Sequence, residues 1–168
     1  MNRLTLAHVR VPSSRGTDHY LDWVIDGIPL RERIRVAEDD ANANTMTTVI
    51  NDAFVASSAI QNVDALSGVG PADFADGRVA LLVCEECGDV GCGAYSTRVE
   101  VGENLVRWAS IGYQNDYEPF TSEDDTGLVF EFERRFYEAL LAGLRQMLDA
   151  RPTGDPLARV HISDPFST

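Results

Sequence analysis

Residues 78–111 decide the fold, and they read RVALLVCEECGDVGCGAYSTRVEVGENLVRWASI. The run from Arg78 to Val83 is apolar after its first residue, which is typical of a buried strand. Residues 95–101 alternate between apolar and polar side chains, and residues 105–111 form a third run after a turn at 102–104. Three short strands joined by turns predict an antiparallel meander.

Strand and helix patterns also lie on both sides of the meander. The β-branched run at 4–11 and the alternation at 19–25 predict two strands with a loop at 12–18 between them. The other predicted elements are a turn at Asp26-Gly27, a short helix over 29–35, a polar loop over 37–44, a helix over about 45–60, a loop over 67–76, an acidic loop over 113–126, a short strand over 128–132 and a last strand over 157–162. Residues 47–50 are β-branched and could form a strand instead of part of the helix.

The clearest helical pattern lies near the C-terminus. Apolar residues recur at helical spacing on one face from Phe136 to Met147, and Pro152 ends the pattern. We expect one domain over residues 1–168, with its core over about 4–150 and a tail over 151–168 that forms a short strand and then frays. The predicted class is α+β: a mostly antiparallel sheet with a central meander and a long C-terminal helix packed on one face.

The charge of the chain limits its partners. There are 27 acidic and 14 basic residues, all of the latter arginine, and the formal charge is −13. Such a surface repels phosphate groups, so we expect neither nucleic-acid binding nor attachment to anionic membranes. It favours metal cations or a basic protein partner. The lack of lysine excludes a Schiff-base or phosphate-binding lysine.

The sequence also indicates a compartment. It contains no run approaching the roughly 18 apolar residues of a membrane helix, and its first residues have no signal-peptide pattern. All three cysteines lie within nine residues, which is unlike a secreted disulfide framework. We therefore expect a cytoplasmic protein.

The cysteine segment predicts a metal site. Cys84-x2-Cys87-x4-Cys92 matches the first three ligand positions of a short zinc knuckle, in which glycines let backbone N–H groups approach the sulfurs. The fourth knuckle position is Thr97, a poor zinc ligand, so the fourth ligand must come from elsewhere. The candidates for it are His8, His19, His161, Asp89, Glu85 and a water molecule.

Two alternatives for this segment remain open. The cysteines could simply form a tight structural turn between strands, because cysteine is small and glycine permits positive φ. A thiol redox pair of Cys84 and Cys87 is the other. Glu85, Glu86 and Asp89 surround that pair, and negative neighbours are expected to raise the thiol pKa, which counts against a thioredoxin-like role.

The string LLVCEECGDVGCGA at 81–94, followed by Val106-x-Trp108, resembles a family of uncharacterised proteins from GC-rich bacteria. Members share a C-x-x-C-G-D-x-G-C-G core, a following hairpin and a C-terminal helix, and the resemblance covers about half of the chain, mainly residues 78–148. Some members carry a generic oxidoreductase label. The resemblance implies the predicted fold and the importance of the turn, and it supplies no catalytic residue.

An aromatic and acidic segment predicts a binding face, and ordinary packing in the core and at its rim is the alternative for its aromatic rings. Its members are Trp108, Tyr113, Asn115, Asp116, Tyr117, Glu118 and Phe120. No nucleophile–base pair or dinucleotide-binding fingerprint accompanies them. We therefore expect a non-enzymatic acidic protein that binds a basic protein, such as an immunity-type inhibitor of a basic toxin. A zinc-binding protein and a thiol redox protein are the alternative hypotheses.

Overall fold

The computed structural model describes residues 1–150 and 155–162, and this part of the chain forms two antiparallel sheets and three α-helices. The strands of the first sheet are β1 (Leu4–Ser13), β2 (Gly16–Ile25) and β3 (Ile28–Pro29). Those of the second are β4 (Met46–Thr47), β5 (Val79–Cys84), β6 (Ala94–Val101), β7 (Leu105–Gln114) and β8 (Phe130–Glu133), neighbouring in that order. The helices are α1 (Leu30–Glu38), α2 (Ala56–Leu66) and α3 (Arg134–Asp149). The predicted α+β class is confirmed.

The predicted meander is strands β5, β6 and β7, which pair antiparallel in sequence order. β7 continues beyond the predicted end at residue 111 because Gly112 pairs with Ser96 and Gln114 pairs with Ala94. This extension places Tyr113 opposite Tyr95. The far end of β7 therefore lies beside the cysteine turn.

The first two strands form a longer hairpin than the sequence predicts. β1 and β2 stay in register from Leu4 opposite Ile25 to Ser13 opposite Gly16, so a two-residue turn replaces the loop predicted at 12–18. The predicted turn after β2 is confirmed, with φ of 52° at Asp26 and 79° at Gly27. Two positive φ values match the twist of a tight hairpin turn.

The helix predicted over 45–60 is confirmed only over its last residues, 56–60, and is wrong over 45–55. Met46 and Thr47 instead pair with β5, the next residues run beside β2, and α2 begins only at Ala56. Polar and β-branched side chains decide this: Thr48 Oγ1 donates to the Leu21 carbonyl at 2.6 Å, a bond that the extended path provides. The predicted polar loop over 37–44 contains the end of α1 and most of a short 3₁₀ helix, Ala41–Thr45.

α3 packs against the second sheet and against α2. Its buried residues are Tyr137, Leu141, Leu144 and Leu148, whereas Phe136 is 61% exposed. The buried face is therefore rotated by one residue from the face predicted to begin at Phe136. Trp108 of β7 donates its indole N–H to the Tyr137 hydroxyl at 3.0 Å.

A buried arginine stands directly before β5. Arg78 Nε donates to Ser96 Oγ at 2.9 Å and to Gln114 Oε1 at 3.1 Å, and Nη2 donates to the carbonyls of Ser96 and Ser110. The Phe120 ring lies over the guanidinium, 3.4 Å from Cζ to the ring centroid. Burial lowers the pKa of Arg78 to about 10, so the side chain stays charged at neutral pH. Arg78 thus joins three strands and the loop that carries Phe120.

The two ends of the described chain both contact the rest of the fold. Asn2 donates its backbone N–H to the Glu131 carbonyl at 2.7 Å and accepts the Glu131 N–H on Oδ1 at 2.9 Å, next to β8. The strand predicted over 157–162 is reduced to one bridge between Arg159 and Val55. The rest of the tail that is expected to fray, residues 151–154 and 163–168, lies outside the described residues. Within the described part, no helix combines the length and the apolar character needed to cross a membrane.

Candidate metal centre

The cysteine turn connects β5 to β6 through two hydrogen-bonded bends. The Gly88 N–H donates to the Cys84 carbonyl at 2.9 Å and closes the first bend. Asp89 then caps a short 3₁₀ helix, Val90–Cys92, by accepting the Gly91 N–H at 2.9 Å. These bends return the chain on itself within nine residues and bring all three cysteines to one place.

The three thiol sulfurs lie within 4.8 Å of one another. All three cysteines are free; Cys84 is half-buried, and Cys87 and Cys92 are exposed. The structure therefore brings together the three predicted sulfur ligands, and the group is close enough to hold a metal ion. Its exposed side opens to solvent, so a metal or a further ligand reaches the sulfurs without unfolding the turn.

Two glycines of the turn are fixed by close contacts with distant segments. A Cβ at Gly88, where φ is 66°, would lie 3.0 Å from the Phe54 ring. A Cβ at Gly93, where φ is 131°, would lie 1.9 Å from the Tyr113 hydroxyl. Both positions therefore need glycine for backbone conformation and for space. The Phe54 ring at Gly88 and the Tyr113 ring at Gly93 therefore fix the backbone conformation of the turn.

The thiols differ in acidity. Burial is the largest single influence on Cys84 and raises its pKa, but the backbone N–H groups of Cys87 and Glu86, with the thiols of Cys87 and Cys92, outweigh it and lower the pKa. The Cys92 thiol donates hydrogen bonds to the sulfurs of Cys87 and Cys84, which favours its protonated form and raises the pKa of Cys92 to about 11. The expectation that acidic neighbours raise the thiol pKa is wrong for Cys84, because N–H donors aimed at a sulfur stabilise its thiolate.

The structure does not add any of the candidate fourth ligands to the sulfur group. His8 Nε2 and His19 Nδ1 lie 3.0 Å apart and share a hydrogen bond with each other. Asp89 caps the 3₁₀ helix, and His161 is exposed near the end of the described residues. Among the residues that the structure describes, the ligand group consists of the three cysteines alone.

A cleft of about 450 Å³ adjoins Cys84 and Cys92. Tyr95 and Tyr113 form part of its wall, with ring centroids 5.8 Å apart in an edge-to-face contact. The Tyr95 hydroxyl donates to Asp40 Oδ2 at 2.7 Å. The Asn42 N–H, followed by this hydroxyl, lowers the pKa of Asp40. No local pattern identifies Asp40 as part of the site, because the segment that holds it meets the turn only through the tertiary fold.

The residues predicted as a binding face separate into two groups. Trp108 is fully buried, edge-on to Trp23, and Phe120 is held on Arg78, so these two rings are structural. The exposure of Tyr113 is 44%. That tyrosine is the one ring of the predicted set that also lines the cleft.

The rest of the predicted face lies in the loop after β7. Tyr117 is 86% exposed, and the Asn115 side chain accepts the backbone N–H groups of Tyr117 and Glu118 at 2.9 and 3.0 Å. Asp116 reaches the cysteine turn, since a Cβ at Gly91 would lie 2.6 Å from its carboxylate. The acidic loop therefore borders the sulfur group, a proximity that the sequence did not reveal.

Comparison of the chain with protein-family models, with curated proteins and with solved structures finds no match. The resemblance to the GC-rich bacterial family stays a prediction. The function is therefore argued from the geometry of the turn and its cleft.

Proposed function

We propose that this is a zinc-binding protein in which Cys84, Cys87 and Cys92 hold one zinc ion. The observation that carries the proposal is the mutual approach of the three sulfurs to within 4.8 Å. Zinc–sulfur bonds of about 2.3 Å place two sulfurs of a tetrahedral site roughly 3.8 Å apart. Small rotations of the exposed Cys87 and Cys92 side chains close the remaining difference.

The backbone around the first cysteine supports the same proposal. Because N–H groups two and three residues further on lower the pKa of Cys84, this sulfur favours the thiolate form that metals bind. Thiolates are soft ligands and select zinc over magnesium or calcium. The acidic side chains that disfavour an isolated thiolate attract the metal cation instead.

A three-sulfur group also favours a metal over the two alternative roles of the turn. A disulfide formed by any two of the cysteines would leave the third without a partner. A purely structural turn has no need for three sulfurs that converge, two of them on exposed side chains. With three protein ligands, the fourth coordination position accepts water or an external ligand, as in catalytic zinc sites.

Metal analysis tests the proposal directly. Protein purified without chelator and without nickel affinity resin is measured for metal content, and its thiols are counted before and after denaturation. We expect one zinc per chain and three thiols that react only slowly in the native state. Metal-free protein with three readily titrated thiols, also after zinc is supplied, would overturn the proposal.

Two variants make the test specific. Cys84→Ser removes one of the three sulfurs and is expected to lower zinc affinity at least about tenfold. His8→Ala is the matched control among the predicted fourth ligands, since the His8 ring bonds His19 rather than the sulfur group. We expect His8→Ala to retain one zinc per chain.

A further inference from the structure

The cleft beside the sulfur group is strongly negative. Its charged lining residues are Asp40, Glu85 and Glu86, and among the described residues that line it there is no arginine or histidine. The lowered pKa of Asp40 keeps that carboxylate ionised at neutral pH. Three thiolates on a zinc ion would add one further net negative charge to this wall.

The two arginines of a neighbouring cavity attract Glu85 and Glu86 but form their ion pairs with other carboxylates. Arg15 and Arg31 line a neighbouring cavity that also contacts Glu85 and Glu86. Arg15 pairs with Asp18 at 2.7 Å, and Arg31 pairs with Asp22 at 2.9 Å. In the part of the chain that the structure describes, neither glutamate forms an ion pair.

The other wall of the cleft is apolar and aromatic. Met46 lies on it, and Tyr113, 44% exposed, presents its ring. An aromatic ring attracts a cation placed over its face, and the aliphatic stem of an arginine packs against such a surface. A volume of about 450 Å³ falls within the usual range of ligand sites, roughly 300–1,000 Å³.

We propose that the cleft receives a positively charged ligand that carries a soft donor atom, a thiolate or an imidazole nitrogen, and that this atom completes the coordination of the metal. The inference rests on the proposed zinc site and names what its fourth position binds. A basic protein segment with a cysteine or histidine is the source that the cleft fits best, because its flanking arginines complement the charges of Glu85 and Glu86 and pack favourably against an aromatic lining residue, Tyr113. A small aminothiol carries the same chemistry.

A thiol ligand binds the metal by exchange with water, and no atom changes its oxidation state. The thiol loses its proton to solvent as the sulfur binds the metal, and the water at the fourth position leaves. Four thiolates on zinc have a net charge of −2, which the flanking cations of the ligand offset. A ligand with flanking carboxylates would meet the like charges of Asp40, Glu85 and Glu86 and is disfavoured.

Cobalt(II) provides the test, because its visible absorption reports the number of thiolate ligands. The cobalt-loaded protein is titrated without oxygen with capped peptides Arg-Cys-Arg, Glu-Cys-Glu and Arg-Ser-Arg, and with cysteamine. We expect Arg-Cys-Arg to change the spectrum to that of four thiolates and to bind about tenfold more tightly than Glu-Cys-Glu, a difference of about 1.4 kcal/mol. Arg-Ser-Arg should leave the spectrum unchanged.

Variants test whether the carboxylates of the cleft cause the tighter binding of Arg-Cys-Arg. E85Q/E86Q is expected to remove most of the difference between the two cysteine peptides. E100Q/E103Q removes the same charge near the far end of β6 and should preserve the difference.

The outcomes separate this inference from the proposed function. A spectrum of three thiolates that no peptide changes, or equal affinity for Arg-Cys-Arg and Glu-Cys-Glu, would overturn the cationic ligand and leave the zinc site standing. Cobalt without thiolate ligation would overturn both. Cysteamine binding as tightly as Arg-Cys-Arg would identify the ligand as a small aminothiol and would overturn the protein source.

Discussion

Strand β5 has a buried cation at its start and a group of thiols at its end, and the two ends are built in opposite ways. Arg78 finds acceptors on β6 and β7 and an aromatic ring above it, and in the described structure only its Nη1 atom lacks a hydrogen bond. The cysteines have converged side chains, backbone donors behind them and an open cleft in front. The chain itself supplies acceptors to Nε and Nη2 of Arg78, whereas the sulfur group faces a cleft that an external ligand can enter.

The difference shows how to tell a structural polar group from a functional one. A charged group that the fold itself surrounds with partners stabilises the fold and is costly to remove. Polar atoms that the fold gathers and leaves facing a cleft are arranged for a ligand. Four measurements test this contrast between Arg78 and the sulfur group.

Removal of the metal is expected to have the largest effect. With free zinc about 1,000-fold above its Kd, the free energy of unfolding should be about 4 kcal/mol greater than in excess chelator, because only the folded turn gathers the three sulfurs. Urea denaturation in zinc and in chelator measures the difference. Cys87→Ser, which removes one sulfur on an exposed side chain, should show a smaller difference, about 2.7 kcal/mol if its zinc affinity falls tenfold and less if it falls further. The same difference in that variant would contradict a sulfur site.

Substitution of the buried Arg78 is expected to have the second largest effect on stability. Arg78→Met is expected to lower the free energy of unfolding by about 3 kcal/mol, since Ser96 and Gln114 lose their charged donor inside the protein. Arg98→Met, which changes an exposed residue of β6, is the matched control and should stay within about 0.5 kcal/mol of the parent. If the two variants were equally stable, the view of Arg78 as a structural group would fail.

The glycine beside Tyr113 should show a smaller effect. Gly93→Ala combines strain at a φ of 131° with the hydroxyl contact, and we expect a loss of about 2 kcal/mol. Gly16, with a φ of 116° and open space around it, isolates the backbone part, so Gly16→Ala should cost about 1 kcal/mol. A cost at Gly93 no greater than at Gly16 would mean that Tyr113 moves freely away from the turn.

The hydrogen bond at the rim of the cleft gives the smallest effect. Tyr95→Phe should cost about 1 kcal/mol at pH 7, because the Asp40 carboxylate loses a donor. The pKa of Asp40 is lowered in the folded protein, so its contribution is fully present above the ordinary carboxyl value of about 4 and is lost as the pH falls through the lowered pKa. The stability difference between parent and variant should therefore shrink in acid, and a difference that grows below pH 4 would contradict this account.

The sequence predicted the parts of the fold that local patterns specify. The alternation over residues 95–101 and the Asp26-Gly27 turn depend on neighbouring residues, and both predictions are confirmed. The helix predicted over 45–60 failed over 45–55 because its apolar spacing fitted a helix while its β-branched residues fitted an extended path. Contacts with β2, far away in the sequence, decided between them.

In the candidate site, too, only the part that depends on neighbouring residues could be predicted. The sulfur set follows from spacing within nine residues, and the structure brings the three sulfurs together. Asp40 and Tyr95 could not be predicted, because a contact across 55 residues leaves no local pattern. Trp108 was assigned to a binding face on composition alone, and its burial depends on packing against Trp23 and Tyr137.

The bridge from Asn2 to the strand that ends the second sheet has a consequence for the order of folding. Most strand pairs join neighbours along the chain, so both hairpins can form early and locally. Asn2, however, bonds Glu131, which is 129 residues away. During synthesis Asn2 must wait until Glu131 has left the ribosome before it reaches its final partner. The Asn2 contact therefore forms later than the two hairpins, although Asn2 is synthesised before them.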